Sequence, residues 1–315
     1  MKILFFGTPE FAVPSLDAVL AVGEVVAVVT RADKPRGRGL QVEPPAVARA
    51  ANEYALEVLQ PASLRDPAFL ARITAPAPDI GVLVAYGRLV PPEVLAIPPH
   101  GIVNVHPSLL PRYRGAAPVA RAIAAGETET GVTILYLSEE LDAGDVILQR
   151  TVPIAPDDTT GTLTARLAEE GAALLAEVLR LIEAGRAPRL RQDPALATWA
   201  PKLTREDAEI DWRGSAASIV NLVRACDPWP GASTVARGEE LKIWRARAAE
   251  APGGTVPAGT VRAVPARDGD PLEVAAGRGT VRLYEVQPPG GRRMSAAAYV
   301  RGHRLRAGDA LGRGA

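Results

Sequence analysis

The chain has 315 residues, 47% of them hydrophobic and 23% charged, which supplies apolar surface for more than one core and excludes bulk disorder. Its one cysteine, Cys226, excludes an intramolecular disulfide and a paired-cysteine zinc site, and there is no run of eighteen apolar residues to span a membrane. The zero net charge hides an asymmetry. Residues 1–200 carry 18 basic and 23 acidic side chains and residues 201–315 carry 18 and 13, so the second part is the one suited to a polyanion.

The elements alternate from the start. Lys2 to Phe6 is a short apolar strand stopped by Gly7, and Phe11 to Val22 has helical spacing. Val25 to Val29 is continuous and β-branched, as a strand buried on both faces should be. Helices are expected over 46–55 and 67–74, with a short strand at 56–59 between them. Buried strands follow at 80–85 and 102–105. This βαβα order predicts an α/β fold built on a doubly wound parallel sheet, whose ligands bind beyond the carboxyl ends of the strands. Pro118 to Ala125 reads as a helix, 132–137 and 146–153 as strands. The strongest helix runs from about Thr160 to Ala184, with Thr159 or Thr160 as N-cap and Gly185 as its stop.

The Pro- and Arg-rich residues 189–204 read as a linker between a domain over 1–188 and a second over 205–315. In the second domain a helix near 215–225 leads into the turn-forming Asp227-Pro228-Trp229-Pro230-Gly231. Short strands at 241–244, 259–264, 272–275 and 280–286, separated by Gly/Pro turns, suggest a small β-barrel. The apolar N-terminus is too short for a signal peptide, so a cytoplasmic protein is expected.

The chemistry concentrates after the strand at 102–105. Asn104 and His106 are two apart, so on a strand they face the same side, followed by Pro107-Ser108-Leu109-Leu110-Pro111 and, thirty residues on, by Leu141-Asp142-Ala143-Gly144-Asp145. An amide to stabilise an oxyanion, an imidazole to handle a proton and a carboxylate to orient it are what acyl transfer to an amine requires. Taken singly, His106 reads as well as a structural histidine and Asp142 as a solvated loop charge; Gly144 lets that loop fold tightly enough to turn the carboxylate inward. The set is no metal site, lacking HxxxH or paired Cys. The turn Gly7-Thr8-Pro9 lacks GxGxxG, so no dinucleotide is indicated. Asp33-Lys34-Pro35-Arg36-Gly37-Arg38-Gly39 is either a solvated basic loop or an RNA-contacting one. Arg292, Arg293, Arg301, His303, Arg304, Arg306 and Arg313 form a second basic set, the last few of which read equally as a frayed charged tail.

Asn104-x-His106-x-Ser108-Leu109-Leu110-Pro111, Arg114-Gly115-Ala116-Ala117-Pro118, Gly131-Val132-Thr133 and Leu141-Asp142-Ala143-Gly144-Asp145 together resemble the folate-dependent formyltransferases. Phe6 to Ala12, the 33–39 loop, Val84-Ala85-Tyr86-Gly87, Ile210-Asp211-Trp212, Pro228-Trp229-Pro230 and 283–296 extend the likeness over nearly the whole chain, towards the members that act on charged tRNA. The resemblance implies a Rossmann-like catalytic domain and an OB-like C-terminal barrel. It implies formyl transfer from 10-formyltetrahydrofolate to the α-amino group of methionyl-initiator-tRNA, by a monomer without a metal. Asn104, His106 and Asp142 match the family's catalytic residues. Tyr86, Gly87, Leu89, Ser108, Leu109, Leu110, Pro111 and Leu137 are expected to bind folate, and Lys34, Arg36, Arg38, Arg292, Arg293 and Arg304 to bind tRNA. Pro107 stands where the family usually has Gly, and Tyr113 where Trp is common; neither is expected to reach a catalytic atom. A glycinamide-ribonucleotide or sugar-nucleotide formyltransferase would share the catalytic residues without needing the 33–39 loop or the basic domain. A non-catalytic RNA-binding protein would not need the three residues intact.

Overall fold

Ile3 to Phe6 are wholly buried within the first strand, β1 (Lys2–Gly7), because the sheet is covered on both faces. Leu4 and Phe6 pack into one cluster with Phe69, Ile73 and Val94, whereas Gly7 lies against Ala12 and Val47. Alternate residues of one strand thus serve two different helical layers, which is why the pattern is a continuous apolar run. The computed structural model describes residues 1–36, 41–250 and 256–312, without the side chains of residues 35, 36 and 41.

The chain forms two units, one of residues 1–118, 129–153 and 164–200, the other of 119–128, 154–163 and 201–315. The first is built on a seven-stranded sheet. After β1 come β2 (Glu24–Val29), the small hairpin β3 (Lys34–Arg36) and β4 (Gln41–Glu43), β5 (Val58–Leu59), β6 (Ile80–Val84), β7 (Ile102–His106), β8 (Glu129–Tyr136) and β9 (Val146–Pro153). The sheet order is β5-β2-β1-β6-β7-β8-β9. Pairing is parallel from β5 to β7 and antiparallel from β7 to β9, so a hairpin closes one end of an otherwise parallel, doubly wound sheet. Helices α1 (Val13–Leu20), α2 (Ala46–Glu53), α3 (Pro67–Thr74) and α4 (Pro92–Leu95) provide the crossovers.

Helix α5 (Pro118–Ala125) precedes β8, and α6 (Thr160–Glu183) follows β9. Thr159 and Thr162 cap α6 reciprocally, each hydroxyl accepting from the other's amide. Gly185, at φ +65°, ends it, with the Arg186 amide bonded to Leu181 O. Gly171 matters more for the site. A Cβ there would lie 2.8 Å from Val105 Cγ1, so the missing side chain lets α6 press onto the middle of β7.

Residues 189–200, expected as linker, pair back onto the first unit. Val146 and Leu190 exchange backbone hydrogen bonds of 2.8 and 2.9 Å, and Arg114 pairs with Thr198 and Ala200 at 2.8 and 2.7 Å.

The second unit, which also takes in most of α5, is built on an antiparallel sheet. Helix α7 (Ala216–Ala225) is capped by Ser215 Oγ and followed by β10 (Ala232–Ala236) and β11 (Glu239–Ala249). Then come β12 (Val261–Ala263), β13 (Leu272–Ala275), β14 (Thr280–Gln287), β15 (Met294–Ser295) and α8 (Ala296–His303), in sheet order β10-β11-β14-β13-β12 with β15 on β14. Residues 308–312 close it into a barrel. Leu311 N donates to Gly259 O and Gly312 N to Val235 O, both at 2.8 Å, stitching the two sheet edges to one segment. Trp212, Ile219, Val223, Ile243, Leu283 and Val286 fill the core.

Candidate active site

Val105 faces α6, so Asn104 and His106, its neighbours along β7, face the opposite side of the sheet. Both are buried, at 7% and 4% exposure. The Asn104 amide hydrogen-bonds to no protein group among the described residues, and a buried polar group in that state is available to a ligand.

His106 is held at one ring nitrogen and faces a carboxylate with the other. Nε2 lies 3.0 Å from the Tyr113 carbonyl oxygen, and Nδ1 lies 3.7 Å from Asp142 Oδ1. A carbonyl can only accept, so Nε2 carries the hydrogen. In the neutral ring Nδ1 then keeps its lone pair beside the carboxylate and is where a proton would be taken up. Burial pushes the imidazole below its ordinary value of 6.5, partly offset by the Asp142 charge and the Tyr113 carbonyl. The ring is therefore neutral at pH 7 and ready to accept a proton. The Tyr113 backbone carbonyl, presented at φ +60°, orients His106, a contact that does not depend on which side chain stands at 113.

The antiparallel end of the sheet shapes the turn after His106. Thr133, opposite His106 on β8, donates through Oγ1 to Ser108 O and accepts from Leu110 N at 3.1 Å. Gln149, paired with Thr133 from β9, donates to Leu110 O at 2.8 Å. Ser108 Oγ donates to Arg112 O at 2.7 Å, so the loop over His106 is bonded at each step.

Asp142 is not a solvated loop charge: it is 8% exposed and its Oδ2 accepts the Gly115 amide at 2.9 Å. Its backbone sits at φ +51°, a region side chains other than Gly rarely occupy. Gly144 makes the turn possible, since a Cβ there would run into the Tyr136 carbonyl oxygen. Two residues absent from the sequence-derived site complete this wall. Arg114, 3% exposed, donates to Gln192 Oε1 from Nε and Nη2 at 3.2 and 2.7 Å, and Gln192 Nε2 donates to Asp142 O and Gly144 O, each at 2.8 Å. Arg114 was visible as part of a motif; Gln192 lay in a stretch whose composition signals only a linker.

A cavity of about 480 Å³, within the size class of small-molecule sites, is lined by residues 62–65 and 88–92 and by Glu139. Arg65, which pairs with Glu93 at 3.6 Å, and Arg88, which donates to Pro61 O and Ala62 O, line it with Glu139, and Leu64, Val90 and Pro91 add apolar surface. Of the residues expected on folate, Leu89 lines it. Gly87 lies at φ +81° with its carbonyl bonded to Arg31. Tyr86 is buried edge-on against Phe6, so the atom it presents at the strand end is its carbonyl, which accepts from Thr8. Leu110 is buried, Leu109 packs over Gly131, Pro111 is half-buried, and Leu137 joins the core beneath.

The basic residues are placed very differently. Lys34 is exposed on β3, Arg38 and Arg313 lie outside the described residues, and of Arg36 only the backbone is described. Arg292 and Arg304 are exposed in the second unit. Arg293 is committed within the protein: its guanidinium stacks 3.6 Å from the Trp244 ring and pairs with Asp227 at 2.8 Å. Among the described residues no cluster of His, Cys, Asp or Glu could hold a metal ion, and no helix is long and apolar enough to cross a membrane.

A doubly wound sheet with an amide, an imidazole and a carboxylate at the end of β7, coupled to a small barrel, has the architecture of the formyltransferases. The profile of the formyl transferase family matches residues 1–179, and that of the formyl transferase C-terminal domain matches residues 202–304; the chain belongs to this family. It is 49% identical over 313 residues to methionyl-tRNA formyltransferase of Moorella thermoacetica, covering 99% of both chains. Against the enzyme of that name from Methylococcus capsulatus it is 46% identical, covering 99% of this chain and 100% of the relative. In fold it is similar to an N-formyltransferase from Helicobacter canadensis solved with folinic acid and dTDP-3-aminofucose. The TM-score is 0.67 at 17% identity, over 93% of this chain and 100% of that one. HypX from Aquifex aeolicus, solved with tetrahydrofolic acid, matches with a TM-score of 0.62 at 23% identity, over 95% of this chain and 47% of that one.

Proposed function

We propose that this chain transfers the formyl group of 10-formyltetrahydrofolate to the α-amino group of methionine esterified to initiator tRNA. The observation that carries the chemistry is the buried Asn104 amide, without a hydrogen-bond partner among the described residues and on the same strand face as a His106–Asp142 pair. The near-full-length relatives carry the choice of amine. The folate supplies the formyl carbon and leaves with a proton on its nitrogen.

The protein's part follows from its atoms. Asn104 donates to the formyl oxygen as attack of the amine turns it into an oxyanion; such a donor is worth about 10²–10³ in rate. His106 takes the proton released by the amine at Nδ1, the one ring nitrogen not committed to the backbone. Asp142 stabilises the imidazolium so formed, and the proton can pass on to the leaving nitrogen. Arg65 and Arg88 beside the cavity suit the carboxylates of a folate. The exposed Lys34, Arg292 and Arg304, with Arg36 and Arg38 of the basic loop, suit the phosphates of tRNA. The enzyme is taken to act in the cytoplasm as a monomer, which light scattering would check.

One assay tests the whole reading. Purified protein and 10-formyltetrahydrofolate should formylate methionine on initiator tRNA far faster than on elongator tRNA. Formylation of neither, with turnover on an amino-sugar nucleotide or glycinamide ribonucleotide instead, would replace the proposal with one of those activities.

A further inference from the structure

Gln192 sits outside both regions matched by the family profiles, 1–179 and 202–304, yet its side chain is buried against the site. Its carboxamide is fully used. Both hydrogens go to main-chain oxygens of the acidic turn, Asp142 O and Gly144 O at 2.8 Å each. Its oxygen accepts twice from Arg114, at 3.2 and 2.7 Å. The orientation is unambiguous, since carbonyls cannot donate and a guanidinium cannot accept. Arg114 in turn reaches Glu140 at 3.5 Å, and Gly115, the residue after it, donates to the Asp142 carboxylate.

The turn needs such a clamp. Asp142 stands at φ +51°, and conformations of that kind persist only where the surroundings over-determine them. Within the described residues the turn is tied by the Gly115 amide at the carboxylate and by Gln192 at the backbone on either side of Ala143. We propose that Gln192 is a positioning residue for the transfer reaction. It locks the Asp142–Gly144 turn against Arg114 so that the carboxylate stays at the Nδ1 side of His106. This rests on the assignment of Asp142 and His106 made above. It also makes the segment 189–200 part of the catalytic apparatus, held there by its pairing with residues 114 and 146.

Two variants separate clamping from mere packing. Gln192→Glu keeps an acceptor for Arg114 but has no hydrogen for the two carbonyls. Gln192→Met keeps the volume and removes both functions. Each is compared with the wild-type protein by thermal melting, by formylation kinetics and by the ¹⁵N NMR titration of His106 without substrate. The last is feasible because the chain has three histidines. In Gln192→Glu we expect a folded protein with kcat about 10- to 100-fold lower and KM for both substrates within about threefold, since small misplacements of a reacting group act on the chemical step. In Gln192→Met the His106 titration should move to lower pH as the Asp142 charge drifts away. Wild-type kcat in a folded Gln192→Glu protein, or an unmoved His106 titration in a folded Gln192→Met protein, overturns the proposal. So does failure of both variants to fold, which would make Gln192 a residue of the fold alone. If the wild-type chain formylates no methionyl-tRNA, the substrate assignment falls, while the His106 titration still decides the role of Gln192.

Discussion

The wall around His106 and the basic residues of the chain are built on opposite terms. Asn104, His106, Asp142 and Arg114 are each less than a tenth exposed, and among the described residues all but the Asn104 amide have polar partners. Lys34, Arg292 and Arg304 are exposed, with charges open to water and salt. A group that must meet a transient charge gains most from being fixed and desolvated beforehand, because in that setting an electrostatic interaction is strong and needs no reorganisation. A group that meets a phosphate backbone gains little from burial, since its contribution comes through counterion release and is additive over contacts. Arg293 shows the boundary. Its side chain is 39% exposed, yet it is stacked on Trp244 and paired with Asp227, so it is fixed like the first kind and solvated like the second.

The contrast can be broken most forcefully at Asn104. Asn104→Ala should lower kcat by about 10²–10³ while leaving the melting temperature and both KM values nearly unchanged, as read by single-turnover formylation. Unimpaired chemistry would mean that the oxyanion is met elsewhere. Gly144→Ala comes next, because a methyl group there collides with the Tyr136 carbonyl. It should displace Asp142, cost about 1–3 kcal/mol in chemical denaturation and reduce kcat, and a fully stable variant would refute the tight turn.

His106 gives a sharper, smaller signature. Its native pKa lies below its unfolded value, so between those two values the unfolded chain binds more protons. Stability should therefore fall as the pH drops from about 6.5 toward the native value, and His106→Gln should flatten that slope in melts recorded against pH. Asp142→Asn removes the charge that supports the imidazolium and should carry the His106 titration lower still. The smallest effects belong to the exposed cations. Arg292→Ala or Lys34→Ala should weaken tRNA binding mildly, reduce the slope of log affinity against log salt by about one, and leave folate binding unaltered. Arg293→Ala should instead lower the melting temperature, because it undoes a packed cation–aromatic contact. A pure salt-slope effect would return it to the recognition set.

Much of the first unit was legible because its signals are local. Helix bounds at Pro67–Thr74 and Pro118–Ala125 and the strand at Val146–Pro153 coincide with their patterns, since Pro at a helix start and β-branched runs act within a few residues. The Asn104-x-His106 spacing is likewise local, as strand alternation alone puts both side chains on one face. What escaped was weakly patterned. Helix α8 begins Ala296-Ala297-Ala298 and has only one buried aromatic, and β10 is five small residues following a proline-rich turn. The antiparallel reversal at β8 escaped too, because the hydrophobic run of a buried strand carries no record of its direction.

The chain by itself determined which chemistry-bearing groups exist, the strand that carries two of them, and the glycine at 144 without which the acidic turn could not form. Only the tertiary structure decided that Tyr113 acts through its carbonyl, that Asp142 is buried rather than solvated, and that a glutamine in a linker-like stretch joins Arg114 to the acidic turn. The first contact spans seven residues and the others join segments 27 to 78 residues apart, and all are made by groups whose local propensities say nothing. Their partners are chosen by which buried donors and acceptors are left to be satisfied once the strands have paired.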